Sequence, residues 1–589
     1  MRWNLIVVFV LGATTSLFAG DVPQSASTDK TDPAVLREEK LAAGRKAVSE
    51  RVAAVVGEVD AGQGVTSVRE IRAELTEDVI IFRYEQLHSG IPVWLGQLIL
   101  ATSRGGIHQT DRLKRDLSVN VIPNLDQHAA IKVVRARIKP KGQHSAEATL
   151  MIVPRSELEG VTNVDRLVWK VDIWAGNEED GAMDRTVFVD AHSGEILLDE
   201  SNAKSITYAI TQPHMHGHYA KSSIYTVSPV DRRGNVGDGK LLDPCFGTGI
   251  LLPAGTSVDC GTLQDFGDFS LIVARGVGNY VGNANGTMRT KSKPIEYNQG
   301  VIIGDGQLGS ANARTTAADA YYHMNASFEY LQNRFDYQGL NGSNAPAMQV
   351  MVNTALQNGA VWTGPKDRAI QIGQASGAHY PFSSLDVIAH EIGHALGDFR
   401  VGLVLFTRGR RTETWAIGEG TSDMFAMLVS AAHQRPELPS HPSFQGDPVP
   451  YWIGEETFRA NYVGSTFTSF INSGHAIRYM DDPARTPGTV ACYYPEIRQI
   501  EGHRGSGPAG HMFYLLAYGG VSKCDGSVVE GIGVPDAARI FWTAFGLLPP
   551  EATYADLRSA FVSGAVSHFP GPNPIVLRTA SAFDAVDVP

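Results

Sequence analysis

A chain of 589 residues is too long for one compact core, so several domains are expected. Hydrophobic residues make up 43% and charged residues 19%, the balance of a folded protein rather than a disordered one. A formal net charge of −12 argues against a nucleic-acid partner, which would call for a basic face.

The first twenty residues read MRWNLIVVFVLGATTSLFAG. Arg2 gives a positive start, Leu5 to Leu11 an apolar run, and Ala19 a cleavage position after small residues, so residues 1–19 are expected to be an export signal. The run is well short of the ~20 residues that cross a bilayer, and no later segment is long and apolar enough, so no membrane anchor is expected and the protein reads as secreted. Export suits disulfides. Of three connectivities open to Cys245, Cys260, Cys492 and Cys524, short-range pairing favours Cys245–Cys260 and Cys492–Cys524.

Along the chain, DPAVLREEKLAAGRKAVSERVAAVVGEV has helical spacing of its apolar positions and suits an amphipathic helix. VIIFRYEQLHSGIPVWLGQLIL alternates in two runs around HSG and reads as a hairpin. ATLMIVPR, RLVWKVDIW and RTVFVDAHSGEILLDES are strand-like, the last with a second HSG turn. Residues 20–202 thus read as an α+β region with no catalytic cluster. From about 205 to 380 short strand-like runs such as MQVMVNTAL sit in Gly-, Asn- and Ser-rich chain, interrupted by the helical ARTTAADAYYHMNASFEYLQNRF. Beyond 385 helices dominate. PDAARIFWTAFG is expected to stop at its glycine, and TYADLRSAFVSGAVSHF opens with Thr553 and Asp556 as a capping box.

The chemistry centres on VIAHEIGHALGDFR, residues 387–400. His390 and His394 are four apart and share a helix face, so both can reach one ion. Glu391 is poorly placed as a ligand and better placed to take a proton from a metal-bound water. Leu385, Val387, Ile388, Ile392 and Leu396 would bury the helix, with Ser383 or Ser384 at its start. Arg400 stands where a HExxHxxGxxH pattern would place a third histidine, so the third ligand must come from elsewhere. WAIGEGTSDMFAMLVS offers it: Glu419 would complete a two-histidine, one-glutamate zinc site with a position open for water. Asp423, four residues on, would orient a ligand histidine. An ordinary core helix with two satisfied histidines is the bland alternative, and the apolar context of both helices weighs against it.

HEIGH followed by ExxxD is the pattern of the gluzincins, and the chain resembles the thermolysin family of secreted zinc metalloendopeptidases. FRYEQLHSGIPVWLGQLIL resembles the fungalysin/thermolysin propeptide module, and the stretch ending VDAHSGEILLDES resembles a PepSY module. The resemblance implies an α+β fold: a two-lobed catalytic domain with the active site on a central helix, preceded by an α+β propeptide. The expected boundaries are 20–123 and 124–203 for the two propeptide domains. A β-rich lobe would follow over 204–384, and the zinc helix with a helical lobe over 385–589.

By the same resemblance, AIRYMDDPARTPG places Arg478 on the scissile carbonyl, and GHRGSGPAGHMFYLLAYGG makes His503 the stabiliser of the tetrahedral intermediate, with His475 and His511 as nearby alternatives. NGAVWTG matches the segment that pairs with substrate backbone, with Ala360 retained and Gly359 in place of an asparagine. Phe382, Val387, Ile453 and Ile477 would line a pocket for a large hydrophobic residue after the scissile bond. Asp386 and Glu455 match calcium ligands, but Ser430, Pro450 and Trp452 replace other acidic ones, so a paired-calcium site is expected to be incomplete, with at most a single weaker Ca2+. Leu405 stands at the family's tyrosine position, and the basic loop 407–414 lengthens the gap between His394 and Glu419.

The function implied is peptide hydrolysis by one Zn2+ in a monomeric zymogen, acting on protein or peptide substrates. Its propeptide would serve as intramolecular inhibitor and chaperone until self-cleavage. The alternatives are a gluzincin aminopeptidase and a non-catalytic binding protein on a protease fold.

Overall fold

The computed structural model describes residues 33–207, 313–433, 451–457 and 476–589, with short interruptions, and the strand segments Ser270–Val273 and Lys293–Pro294. The expected signal sequence, Cys245, Cys260, His475 and Leu405 lie outside the described residues.

The first helix, α1 (Pro33–Asp60), lies on a sheet. Strands β1 (Thr66–Thr76), β2 (Val79–His88), β3 (Ile91–Ser103), β4 (Gly106–Asp111), β5 (Gln143–Val153), β6 (Arg166–Asn177), β7 (Gly181–Asp190) and β8 (Ile196–Ser201) form it. Its order is β1-β2-β3-β5-β6-β7-β8, with β4 also on β3. The β2–β3 hairpin turns at Ser89 and Gly90, both with positive φ, as the HSG motif requires. Buried positions fall on both faces of this hairpin, with the polar Arg83 and Gln86 among them. Phe82, Tyr84, Leu98 and Leu100 pack under α1 with Val48 and Val55. Val79, Ile81, Ile99 and Ala101 point the other way and join the main core of the protein. Helix α2 (Gln127–Ile138) covers β5 to β7 through Ala130 and Val134.

A second, mixed sheet follows: β9 (Lys204–Thr207), β10 (Ser270–Val273), β11 (Lys293–Pro294), β12 (Gln349–Gln357), β13 (Gly359–Trp362) and β14 (Ala369–Gln374), in the order β11-β10-β12-β14-β13-β9. The edge strand β9 runs antiparallel to β13, in register from Gly359↔Thr207 to Trp362↔Lys204. Helix α3 (Ala313–Phe335) covers the sheet and buries Met324, Phe328 and Leu331.

The helical lobe begins with α4 (Leu385–Leu396), which continues into one π-helical turn, Gly397–Val401. It contains α5 (Glu413–Ala432), α6 (Gly507–Tyr518), α7 (Val534–Leu547), α8 (Tyr554–His568) and α9 (Pro574–Asp584). The basic segment before α5 holds a two-residue hairpin, Phe406–Thr407 with Arg410–Arg411. Helix α8 starts with the capping box: Thr553 Oγ1 accepts from Asp556 N, and Asp556 Oδ2 from Thr553 N. Helix α7 corrects an expectation, since it runs one residue past Gly546 rather than stopping there. A Cβ at Gly546 would lie 2.8 Å from Arg400 Nη2 and from Ile81 Cδ1. This glycine admits a neighbour and does not end the helix. Cys492 and Cys524 are disulfide-bonded.

Candidate active site

Helix α4 is apolar on nearly every side and wholly buried after Leu385. His390 and His394 leave one face a turn apart, their rings edge-on at 4.7 Å between centroids. Gly393 lies against α5, where a Cβ would meet Ser422 Cα at 2.7 Å. The two helices therefore approach almost backbone to backbone, which carries Glu419 to the histidines. His390 Nε2 is 3.3 Å from Glu419 Oε2, and His394 Nε2 is 3.5 Å from Glu419 Oε1. One ligand atom from each of the three lies within 4.8 Å of the others.

All three side chains are buried, yet His390 Nε2 and both Glu419 oxygens make no hydrogen bond. Buried polar atoms in that condition call for an ion or water. Two imidazole nitrogens and a carboxylate are a donor set for zinc that leaves a coordination position open, so these residues fit the metal. Burial works against ionising Glu419, but His503 and the two ligand histidines hold its carboxyl well below the ordinary range. A fully buried, ionised carboxylate facing two imidazoles is a setting that a divalent cation completes.

Behind the cluster, Asp423 Oδ1 lies 2.8 Å from His390 Nδ1. Arg478 grips the same carboxylate, Nε donating to Oδ2 at 2.7 Å and Nη2 to Oδ1 at 2.6 Å. Burial opposes both charges here. Arg478 and His390 nonetheless hold the Asp423 carboxyl low, and Asp423 lifts His390 to about 9. The bidentate pair holds the carboxylate against His390 Nδ1.

Glu391 Oε2 accepts from the Trp362 backbone N–H at 2.7 Å, and Oε1 makes no hydrogen bond. Trp362 is held in turn by its Nε1–H on Asp398 Oδ2, at 2.7 Å. Burial, with the Glu419 charge added and His390 opposing, pushes Glu391 up to about 7. A carboxyl near neutrality can both accept and return a proton.

His503 comes from the short helical turn Gly502–Gly505. Its Nε2 is 3.4 Å from Glu419 Oε2, its Nδ1 lies on Glu501, and the Trp415 ring stands edge-on to it. Burial would lower His503, but Glu419 and Glu501 raise it. His511 is occupied elsewhere, with Nδ1 on Met480 O at 2.9 Å and Nε2 accepting from Lys523 N at 3.0 Å.

Ala360 lies in β13, Phe382 just before α4 and Val387 on α4, while Ile453 lies in the short pairing of Trp452–Ile453 with Arg478–Tyr479 and Ile477 immediately precedes its second strand. All five are buried in the main core. Asp386 accepts from Gly454 N, and Glu455 is buried nearby. Among the described residues, neither joins a group of three possible metal ligands.

Sequence reasoning passed over Trp362 and Glu501. The first was visible in NGAVWTG but acts through its backbone N–H, which no side-chain pattern reveals. The second lies two residues before His503, where proximity in the chain was the signal.

A carboxyl near neutrality beside a buried zinc donor set places the site among metal-dependent hydrolases. Comparison with known proteins narrows the class. The family model described as "Thermolysin metallopeptidase, catalytic domain" matches residues 255–398, and "Thermolysin metallopeptidase, alpha-helical domain" matches residues 411–588. The chain is similar to thermolysin of Alicyclobacillus acidocaldarius subsp. acidocaldarius, 26% identical over 535 residues covering 86% of this chain and 83% of that one. It is similar to bacillolysin of Bacillus cereus, 24% identical over 612 residues covering 99% and 98%. A solved precursor of protealysin from Serratia proteamaculans aligns over 56% of this chain and 90% of its own at 19% identity and a TM-score of 0.38, too distant a likeness to build on. The chain belongs to the thermolysin family and is a zinc metalloendopeptidase.

Proposed function

We propose that the protein is a secreted endopeptidase made as a zymogen, with its metal held by His390, His394 and Glu419. The carrying observation is the convergence of those three side chains beside Glu391, whose Oε1 makes no hydrogen bond. Bound zinc supplies Lewis acidity to a water and to the peptide carbonyl. Glu391 Oε1 takes the water's proton while the Trp362 N–H holds Oε2, and the same carboxyl then delivers the proton to the leaving amine. His503, oriented by Glu501 at Nδ1, donates from Nε2 to the developing oxyanion. Arg478 assists at the carbonyl side and keeps Asp423 on His390. Ala360 pairs with substrate backbone, and Phe382, Val387, Ile453 and Ile477 line a pocket that favours a large hydrophobic residue after the cut bond.

Residues 20–203 are the propeptide in this reading. The β9–β13 ladder supports it, because the strand that starts at Lys204 lies along the β13 edge, as an added peptide strand would. An internal stretch of chain on that edge also favours an endopeptidase over an aminopeptidase, which must capture a free amino terminus.

The test compares wild type with Glu391→Gln for zinc content, self-shortening and cleavage of peptides blocked at both ends. Wild type should bind zinc, shorten and cut, while the variant should bind zinc only. A zinc-loaded wild type that cuts only free amino termini would overturn the endopeptidase assignment.

A further inference from the structure

Trp415 stands in the first turn of α5, four residues before Glu419, and is only partly buried. This end of the helix is fixed from outside. Thr414 Oγ1 donates to Ala552 O at 3.0 Å, and Glu413 Oε2 accepts from Tyr554 N at 2.8 Å. The turn Gly502–Gly505, which carries His503, is tied to the same support, because Tyr554 Oη donates to Gly505 O at 2.6 Å.

The turn and the helix end meet at glycines. A Cβ at Gly505 would lie 3.1 Å from Ala416 Cβ. A Cβ at Gly502 would lie 2.4 Å from both Cδ1 and Cγ of Trp415 and 2.5 Å from Cδ2. Near-equal distances to three atoms of one ring mean that the indole turns its face to Gly502, at a separation only a glycine allows. The same indole meets the His503 imidazole at 72°, with ring centroids 6.1 Å apart, in an edge-to-face contact.

Glu501 alone leaves the imidazole free to swing. Its carboxylate bonds His503 Nδ1, but the Glu501 side chain is 29% exposed and belongs to the same part of the chain, so it can follow the ring as it turns. Trp415 belongs to another, pinned element and blocks one direction of that swing. We propose that Trp415 is a positioning residue for His503, its indole and Gly502 forming a seat that keeps Nε2 on the side of Glu419, where it lies 3.4 Å from Oε2. The inference rests on the reading of His503 as donor to the oxyanion. A reacting group displaced by about 1 Å can lose on the order of 10²-fold in rate, so a loosened imidazole should slow turnover and spare substrate binding.

The experiment uses the full chain and a peptide blocked at both ends, with rates taken per zinc-loaded, shortened molecule. Trp415→Ala should lower kcat about tenfold, with KM and zinc affinity changed less than about twofold. Trp415→Phe, which keeps a ring face, should recover most of the loss. His503→Ala should cost about a hundredfold, and in that background Trp415→Ala should add less than about twofold. Gly502→Ala displaces the indole without removing it, so it should lower kcat in the parent but add little to Trp415→Ala. It reads the same seat should Trp415→Ala fail to fold. An unchanged kcat in Trp415→Ala, a rise in KM alone, or a loss that adds in full to that of His503→Ala would overturn the inference. Failure of the His503 reading itself would show separately, as a His503→Ala chain that turns over as fast as wild type.

Discussion

Asp423 is the residue whose replacement reports most directly on how the metal cluster is built. Its carboxylate receives three contacts, one from His390 Nδ1 at 2.8 Å and two from Arg478 at 2.7 and 2.6 Å. In Asp423→Asn one oxygen can still face His390 Nδ1, but the amide N–H₂ must then confront the Arg478 Nε–H, donor against donor. The orienting bond survives without its charge, so zinc should bind about tenfold more weakly, near 1.4 kcal/mol. Asp423→Ala removes the bond altogether and should approach a hundredfold, about 2.7 kcal/mol. Arg478→Met leaves the His390 contact in place and should weaken zinc less than either. Competition with a chromogenic chelator, on chains also carrying Glu391→Gln, reads all four affinities without depending on turnover. If Asp423→Ala binds zinc as tightly as its parent, the carboxylate does not support the ligand and the reasoning fails.

Glu391→Gln should leave zinc content intact and lower peptide cleavage at least ~10²-fold, the scale of a lost general base, as measured with blocked peptides. Burial would raise Glu74, but Arg400 and Arg72 hold it at about 2 against an ordinary 4.5. Its stabilisation is therefore present above pH 4.5 and lost as pH falls toward 2, about 3 kcal/mol at pH 7 and less than half of that at pH 3. Urea midpoints should show a gap between wild type and Glu74→Gln that narrows across that window, and a gap that does not change with pH would contradict it. Replacing Cys492 and Cys524 with serine opens a cross-link between residues 32 apart and should lower unfolding free energy by about 3.5 kcal/mol, a loss that reductant should reproduce in the wild type. Thr553→Ala removes one half of the capping box on α8 and should cost about 1 kcal/mol in the same titration.

Local physics made much of this molecule legible. The Ser89–Gly90 hairpin, the helix Ala313–Phe335 and the Thr553 capping box follow from patterns that span fewer than about 25 residues, where periodicity and turn chemistry act. The pairing of Cys492 with Cys524 was readable because short-range pairing is favoured among the few connectivities that four cysteines allow. His390, His394 and Glu419 were readable because helix geometry fixes each side chain and the chemistry restricts the donor types. Partners distant in sequence left no such trace. Arg400 served at first only to exclude a third histidine, and nothing near it announces Glu74, because a buried pair is defined by where two elements meet. Gly546 misled for a related reason, since a glycine that admits a neighbour looks like one that ends a helix until the neighbour is known.

The strand Lys204–Thr207 lies along β13 while joined to chain on both sides. A peptide arriving at that edge competes with a strand tethered beside it, whose effective concentration is set by the length of its tether and is typically millimolar. That concentration does not fall when the protein is diluted. Lowering the protein concentration therefore cannot free the edge, however long the wait. A break before Lys204 leaves the strand joined only to the chain that follows it, so a single remaining tether then sets its local concentration.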